Sequence, residues 1–349
     1  MNTIEIIDPH IHYWNPYTTP RSVSAAVKLL GRFPKLLDKA IRVAMPSATI
    51  QYFGETELFT QPHLPDIYFS RTGQFNVQGV VHVQADWQAK QPTDFAHETI
   101  WLDALDPSPL AIIGEARLHE QENIDAVLDA HIAASPRFRG IRDMLAYHPA
   151  KSIHKFNERG DMMQTAEFRQ GFAELGQREL SFDAFIYSHQ LGDLCDLVET
   201  HPQTRVVVDH MATPIGMMGP YGGLGNTPAE RAQIRADWQA GLQRLAQSSQ
   251  VHMKLSGLFM HVLGWAHHEW PSALTVEQVV EMIGPDVQFV LDMFGPQRCM
   301  FASNFPPDRG LIDFETLYGA YFEIVRNTDK VIQKALFFEN AKEFYQIVL

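Results

Sequence analysis

Two histidines separated by one residue, His10 and His12, stand in the run Ile7-Asp8-Pro9-His10-Ile11-His12. On an extended strand, residues two apart point to the same face, so both imidazoles can converge on one ion or one substrate group while Ile11 packs the other way. Neutral imidazole is the commonest biological metal ligand, and two of them at a strand end form half of a typical zinc site. The structural alternative is an ordinary polar pair at a strand end. Matching groups follow other short apolar runs. Glu115 closes Ala111-Ile112-Ile113-Gly114, His189 follows Ala184-Phe185-Ile186-Tyr187-Ser188, and His210 ends Val206-Val207-Val208-Asp209. His10, His12, Glu115 and His210 are the candidate metal ligands, with a salt-bridge role as the alternative for Glu115.

An arginine ends a further run, Phe138-Arg139-Gly140-Ile141-Arg142. The planar guanidinium of Arg142 can grip a carboxylate or polarise a carbonyl, or else pair structurally with Asp143 or Glu115. His82, inside Val80-Val81-His82-Val83, is a substrate-binding candidate or a hydrogen-bonded core histidine. The last run, Cys299-Met300-Phe301-Ala302, leads into Ser303-Asn304-Phe305-Pro306-Pro307-Asp308. Asn304 is placed to position water, but an amide takes no proton, so Asp308 or His189 is the expected base. Lys254 and Ser256 are lesser pocket candidates. The other histidines among the 16 default to loop or solvated roles.

Groups so far apart in sequence meet only where a fold gathers strand ends. Eight β-branched or apolar runs read as strands, at residues 3–7, 77–83, 110–116, 139–142, 182–187, 205–209, 251–255 and 299–302. Helical patterns lie among them at 123–134, 166–178, 191–200, 228–247 and 276–283. Near-continuous apolar strands alternating with helices imply a parallel sheet covered by helices. Eight units favour an α/β fold closed as a (β/α)8 TIM barrel, whose strand C-termini share one mouth, over an open doubly wound sheet. The chain from 1 to 349 reads as one such domain. A lid-like insertion at 17–76 follows the first strand and carries a basic amphipathic stretch from Val23 to Val43, with a plain surface excursion as the alternative. Thr213 to Pro228, rich in Gly, Met and Pro, lacks the pattern of a phosphate-binding loop and reads as a flexible loop.

A hydrophobic fraction of 45% with 20% charged residues is that of a folded chain. The formal net charge of −13 argues against nucleic acid and anionic membrane as partners and for a small-molecule substrate. Two cysteines, Cys195 and Cys299, make no disulfide framework, and the first residues lack a secretory pattern, so a cytoplasmic location is expected. No apolar run is long enough for a membrane span. A homo-oligomer is left open.

Assembled in order, these segments resemble the amidohydrolase-related family of metal-dependent hydrolases, in particular its lactonase-like branch, which includes fuconolactonase-like proteins and pyrone-dicarboxylate lactonase. The resemblance rests on Ile7-Asp8-Pro9-His10-Ile11-His12 with Trp14, Val80-Val81-His82-Val83-Gln84-Ala85, Phe138-Arg139-Gly140-Ile141-Arg142, His189-Gln190-Leu191, Val208-Asp209-His210, Lys254-Leu255-Ser256-Gly257-Leu258, the run from Cys299 to Asp308 and Asn340-Ala341. It spans nearly the whole chain. It implies that the histidines surround a reactive carbonyl, with Trp14, His82, Gln190 and Arg142 as substrate-binding candidates. It also implies one divalent metal ion, zinc by ligand type, although the branch includes members that need none; the same residues would then hydrogen-bond the oxyanion. The family usually carries an aspartate after the last strand as base, where this chain has Asn304. Hydrolysis of a small cyclic ester, a sugar- or muconate-type lactone, is the expected activity. Amide hydrolysis, metal-dependent decarboxylation of a small aromatic or dienoic acid, and a binding barrel without activity are the rivals.

Overall fold

Eight strands follow one another around one sheet in sequence order: β1 (Ile6–Ile11), β2 (Val77–Val83), β3 (Ala111–Gly114), β4 (Phe138–Ile141), β5 (Ser181–Ala184), β6 (Arg205–Val208), β7 (Val251–Leu255) and β8 (Cys299–Phe301). Each pairs in parallel with the next. The computed structural model describes residues 4–270 and 273–349, so Thr3, the expected start of the first strand, lies outside them. β8 and β1 are joined just past the ladders, where the Asn304 N–H donates to the His10 carbonyl at 2.9 Å and the His12 N–H to the Phe305 carbonyl at 2.8 Å. This is the order and near-closure of the (β/α)8 barrel, not of a doubly wound sheet.

Two strand ends differ from expectation in ways that reach the site. β1 continues past Ile7 to Ile11, buried along its whole length. Pro9 has no N–H for the ladder, and the pairing with β2 shifts between Asp8 and Ile11. β5 stops at Ala184 rather than Tyr187, which makes Phe185, not His189, a near neighbour of the strand end. One helix also runs further than its punctuation suggests. Val276–Phe294 continues through Gly284 and Pro285 because Val287, Val290, Leu291 and Phe294 are buried there. Four such side chains offset the roughly 3 kcal/mol that an interior proline costs.

The two barrel ends are filled differently. At one end Phe338, Ala341, Phe344 and Tyr345 pack with Ile7, Val81, Val207 and Met300. The Tyr345 hydroxyl donates to Asp183 Oδ2 at 2.9 Å. Between β1 and β2, the expected insertion forms five short helices, α1 (Ser24–Leu30), α2 (Pro34–Ala44), α3 (Ser47–Phe53), α4 (Glu57–Thr60) and α5 (Pro65–Phe69). Leu37 and Ile41, four residues apart on α2, share one face and bury it in a cluster with Trp14, Val23, Val27 and Phe59. No helix among the described residues is long and apolar enough to cross a membrane.

Candidate active site

A cavity of about 710 Å³ lies between the insertion and the residues that follow the strands. His12 follows β1, Gln84 follows β2, Glu115 follows β3, Arg142 follows β4, Phe185 follows β5, His210 follows β6 and Asn304 follows β8, and all of them line it. Parallel closure is what brings these seven positions to one mouth. Trp14 lines the cavity as well.

Beneath the floor lies a buried charge network. Lys254, on β7, places its ammonium 2.5 Å from Asp183 Oδ2 and 3.1 Å from Asp209 Oδ1, all three side chains being fully buried. Arg142 donates from Nη2 to the Gln84 carbonyl at 2.6 Å, and its Nη1 lies 3.7 Å from Asp209 Oδ2. Burial pushes the Asp183 carboxyl up to about 6, against the pull of Lys254. Burial also opposes ionisation of Asp209, but Lys254 and His10 overcome it and hold that carboxyl well below the usual range. Asp209 is therefore the fixed negative charge of the site.

The three histidines are held neutral. Burial lowers His10 and His12 well below the usual imidazole value, reinforced by Lys254 at His10 and by Arg142 at His12, and it brings His210 to about 3. The partner fixes the tautomer at His12. His12 Nδ1 lies 2.7 Å from the Val83 carbonyl and must carry its proton there, leaving the Nε2 lone pair free. His210 Nδ1 meets Ser256 Oγ at 2.9 Å. His10 Nδ1 lies 3.1 Å from Asp209 Oδ1, and its Nε2 lies 3.5 Å from Arg142 Nη1, which can only donate. Lys254 Nζ, which also can only donate, lies 3.0 Å from the same Nδ1, so both ring nitrogens of His10 face cationic donors beside the Asp209 carboxylate.

Two of the strand ends that reach the cavity carry strained backbone. After β6 the chain turns through four consecutive non-glycine residues with positive φ, His210 (56°), Met211 (51°), Ala212 (60°) and Thr213 (41°), and Asn304 has φ 56°. Each such residue costs about 1 kcal/mol or more, and the surroundings must hold it. Trp238 does so in part by donating from Nε1 to the Met211 carbonyl at 2.7 Å. Gly257, at φ +63°, lies under His210, where an added Cβ would stand 2.4 Å from the ring Cγ.

Two carboxyl groups near the cavity carry protons near neutrality. Glu115 is pushed up to about 8, first by burial and then by Glu98, Asp143 and Asp86. Asp308 is pushed up to about 7 by burial, although the Phe259 N–H at 3.0 Å and Asn304 Nδ2 at 2.7 Å both donate to it. With both oxygens engaged, Asp308 orients Asn304 and does not itself line the cavity.

Other expected site residues lie elsewhere. His189 packs edge-on against His148 at 5.1 Å, away from the cavity, because β5 ends early. Gln190 is a backbone brace: Oε1 accepts from the Tyr147 and Tyr187 N–H groups, and Nε2 donates to the Leu145 carbonyl. His82 accepts from the Tyr13 N–H at 3.0 Å and faces Glu98 at 3.7 Å, below the cavity. Asp183 and Asp209, central to the network, were not singled out in the sequence. A carboxylate inside the apolar strand Ser181–Ala184, with a lysine inside Val251–Leu255, was the signal that pointed to a buried pair.

Among the described residues, His10, Asp209 and His210 bring one donor atom each within 4.8 Å of one another. Glu115 and His12 stand outside that group. Two imidazoles and a carboxylate suit zinc by type. In this chain, however, Lys254 Nζ already touches His10 Nδ1 and Asp209 Oδ1, and Arg142 faces His10 Nε2. A dication placed there would be repelled by these two cations and attracted by the Asp209 carboxylate, so it would have to displace Lys254 Nζ from Asp209 and His10 to bind. As arranged, the Lys254 ammonium already occupies the space between His10 and Asp209.

Residues 7–347 match the family model described as Amidohydrolase, and the chain belongs to that family. It is a hydrolase of the amidohydrolase type. A protein of Sinorhizobium fredii named y4mH and described as uncharacterized is 28% identical over 350 residues, covering 99% of this chain and 100% of that one. An L-fucono-1,5-lactonase of Burkholderia ambifaria is 28% identical over 200 residues, 57% of this chain and 56% of that one. Among solved structures, an amidohydrolase of Burkholderia multivorans with bound zinc superposes with a TM-score of 0.70 at 20% identity, covering 98% of this chain and 99% of that one.

Proposed function

We propose that this chain opens a small cyclic ester by adding water to the ring carbonyl, with protein cations in place of a metal ion. The observation that carries this reading is Arg142. Its side chain lines the cavity floor, held between the Gln84 carbonyl and Asp209, a fixed cation that a carbonyl oxygen in the cavity would face. As the carbonyl becomes tetrahedral, the oxyanion develops against that guanidinium, where the preorganised charge is worth most.

Water is held by His12, His210 and the Asn304 amide, whose Nδ2 is turned to Asp308. The water proton passes to His210, the imidazole with a carboxylate beside it: Asp209 offsets part of the opposition from burial, Arg142 and Lys254, whereas at His12 only the Val83 carbonyl does so. The carbon to ring-oxygen bond then breaks. Glu115, protonated at pH 7, supplies the proton to the departing alkoxide and is reprotonated as His210 returns its own through solvent. The product is a hydroxy acid.

The test is a pH-indicator assay on a panel of lactones and matched lactams, with carbon dioxide monitored in parallel. Acid release from lactones without carbon dioxide is expected. Release of carbon dioxide from an aromatic or dienoic acid, with no lactone opened, overturns the reading.

A further inference from the structure

Polar groups in the cavity belong to its floor, to the segments after β2 and β3, such as Gln84, Asp86 and Arg117, to Asn157 and Glu158, and to the start of the insertion, where Arg21 donates to the Ala85 carbonyl and Ser22 to Asp86. The wall supplied by the later part of the insertion is different. Met45, Tyr52, Phe53, Leu58 and Phe59 form it, and Phe156 faces them, with rings 5.1 Å apart for Tyr52 and Phe156 and 5.4 Å for Phe53 and Phe59.

Groups on this wall that have a polar handle turn it elsewhere. The Tyr52 hydroxyl points to the Met260 sulfur at 3.6 Å, and the Trp14 indole N–H donates to the Gln61 carbonyl at 2.8 Å. Thr49 and His154, which also line the cavity, pair with each other at 3.1 Å. A hydroxyl group seated against this wall would lose its water partners and find none in return, a loss of about tenfold or more in binding. A methylene seated there would gain about fourfold.

We infer that the substrate is an amphipathic lactone whose ring carbonyl meets Arg142 and whose ring carries an alkyl or aryl arm against the insertion wall, not a polyhydroxylated sugar lactone. This rests on the lactone reading of the same floor. The insertion is then the specificity element of the enzyme, and the barrel mouth is the chemical one.

The test compares kcat/KM for δ-valerolactone, δ-decalactone, which adds a pentyl arm, dihydrocoumarin and D-glucono-1,5-lactone. Binding of piperidin-2-one and 6-pentylpiperidin-2-one, which resist opening, is measured alongside by calorimetry. With about half of the pentyl arm buried, δ-decalactone should exceed δ-valerolactone by roughly 30-fold or more. Dihydrocoumarin should also exceed the gluconolactone. Phe53→Ser, checked for folding by circular dichroism, should reduce the pentyl advantage at least fivefold. Equal rates with and without the arm, or preference for the gluconolactone, overturn the inference while leaving the lactone reading intact. If no lactone opens but the pentyl lactam binds more tightly than the bare ring, the lactone reading fails and the apolar arm stands. If neither rates nor binding respond to the arm, the inference is overturned.

Discussion

Glu115 and Asn304 show how a residue's neighbours decide its chemistry. Glu115 read as a metal ligand by position, yet burial and the nearby Glu98, Asp143 and Asp86 keep its proton on to about pH 8. A carboxyl group protonated in that range is suited to act as an acid. It must be protonated to act, so kcat should fall as pH rises through about 8, and Glu115→Gln should abolish that alkaline limb while lowering kcat by about tenfold or more. A pH profile of kcat from 6 to 10 reads both; an unchanged limb in the variant removes Glu115 from the reaction. Asn304, with its Nδ2 on Asp308 and its φ in the left-handed region, is an oriented amide where a base was expected. The proton acceptor is accordingly sought on the other side of the water, at His210.

Elements position these groups by where they stop. Glu115, Arg142 and His210 were legible in the sequence because each follows an apolar run, and a barrel gathers such ends. His189 was misplaced because β5 ends three residues short of the end of the apolar run that precedes it, and a run of buried side chains does not say where the ladder stops. Asp183 stayed hidden, and Lys254 ranked only as a lesser pocket candidate, for a different reason. They lie inside strands, where a single charge reads as outward-facing until its partner across the barrel is known. The turn after β6 depends on Gly257 of the next segment, and Gly257→Ala should displace the His210 ring. Loss of kcat by about tenfold or more with a cooperative melt retained is expected; full activity in a folded Gly257→Ala protein contradicts the close packing described.

Over the whole molecule, buried titratable groups set a pH optimum for stability. His63, His131, His252 and His261 are each lowered to about 4 by burial, so the unfolded chain binds their protons more readily, and stability rises with pH from about 4 to the usual imidazole value of 6.5. Glu115, Asp143 and Asp308, raised to about 8, 7 and 7, act with the opposite sign. The folded chain keeps their protons longer than the unfolded one, so they lower stability as pH rises toward those values. Below 6.5 the more numerous histidines prevail, and above it only the carboxyl groups remain. Tm should therefore peak near pH 6.5; a steady rise from pH 6.5 to 8.5 contradicts this assignment.

The central claim is that Arg142, within the network held by Lys254, does what a metal ion would otherwise do. The direct measurement is kcat/KM for a lactone substrate on protein stripped with chelator and verified metal-free, beside Arg142→Met prepared the same way. The stripped native protein should keep its activity, and Arg142→Met should lose about 100-fold to 1,000-fold, the usual cost of one oxyanion donor. Loss of activity on stripping, restored by zinc and indifferent to Arg142→Met, would contradict it.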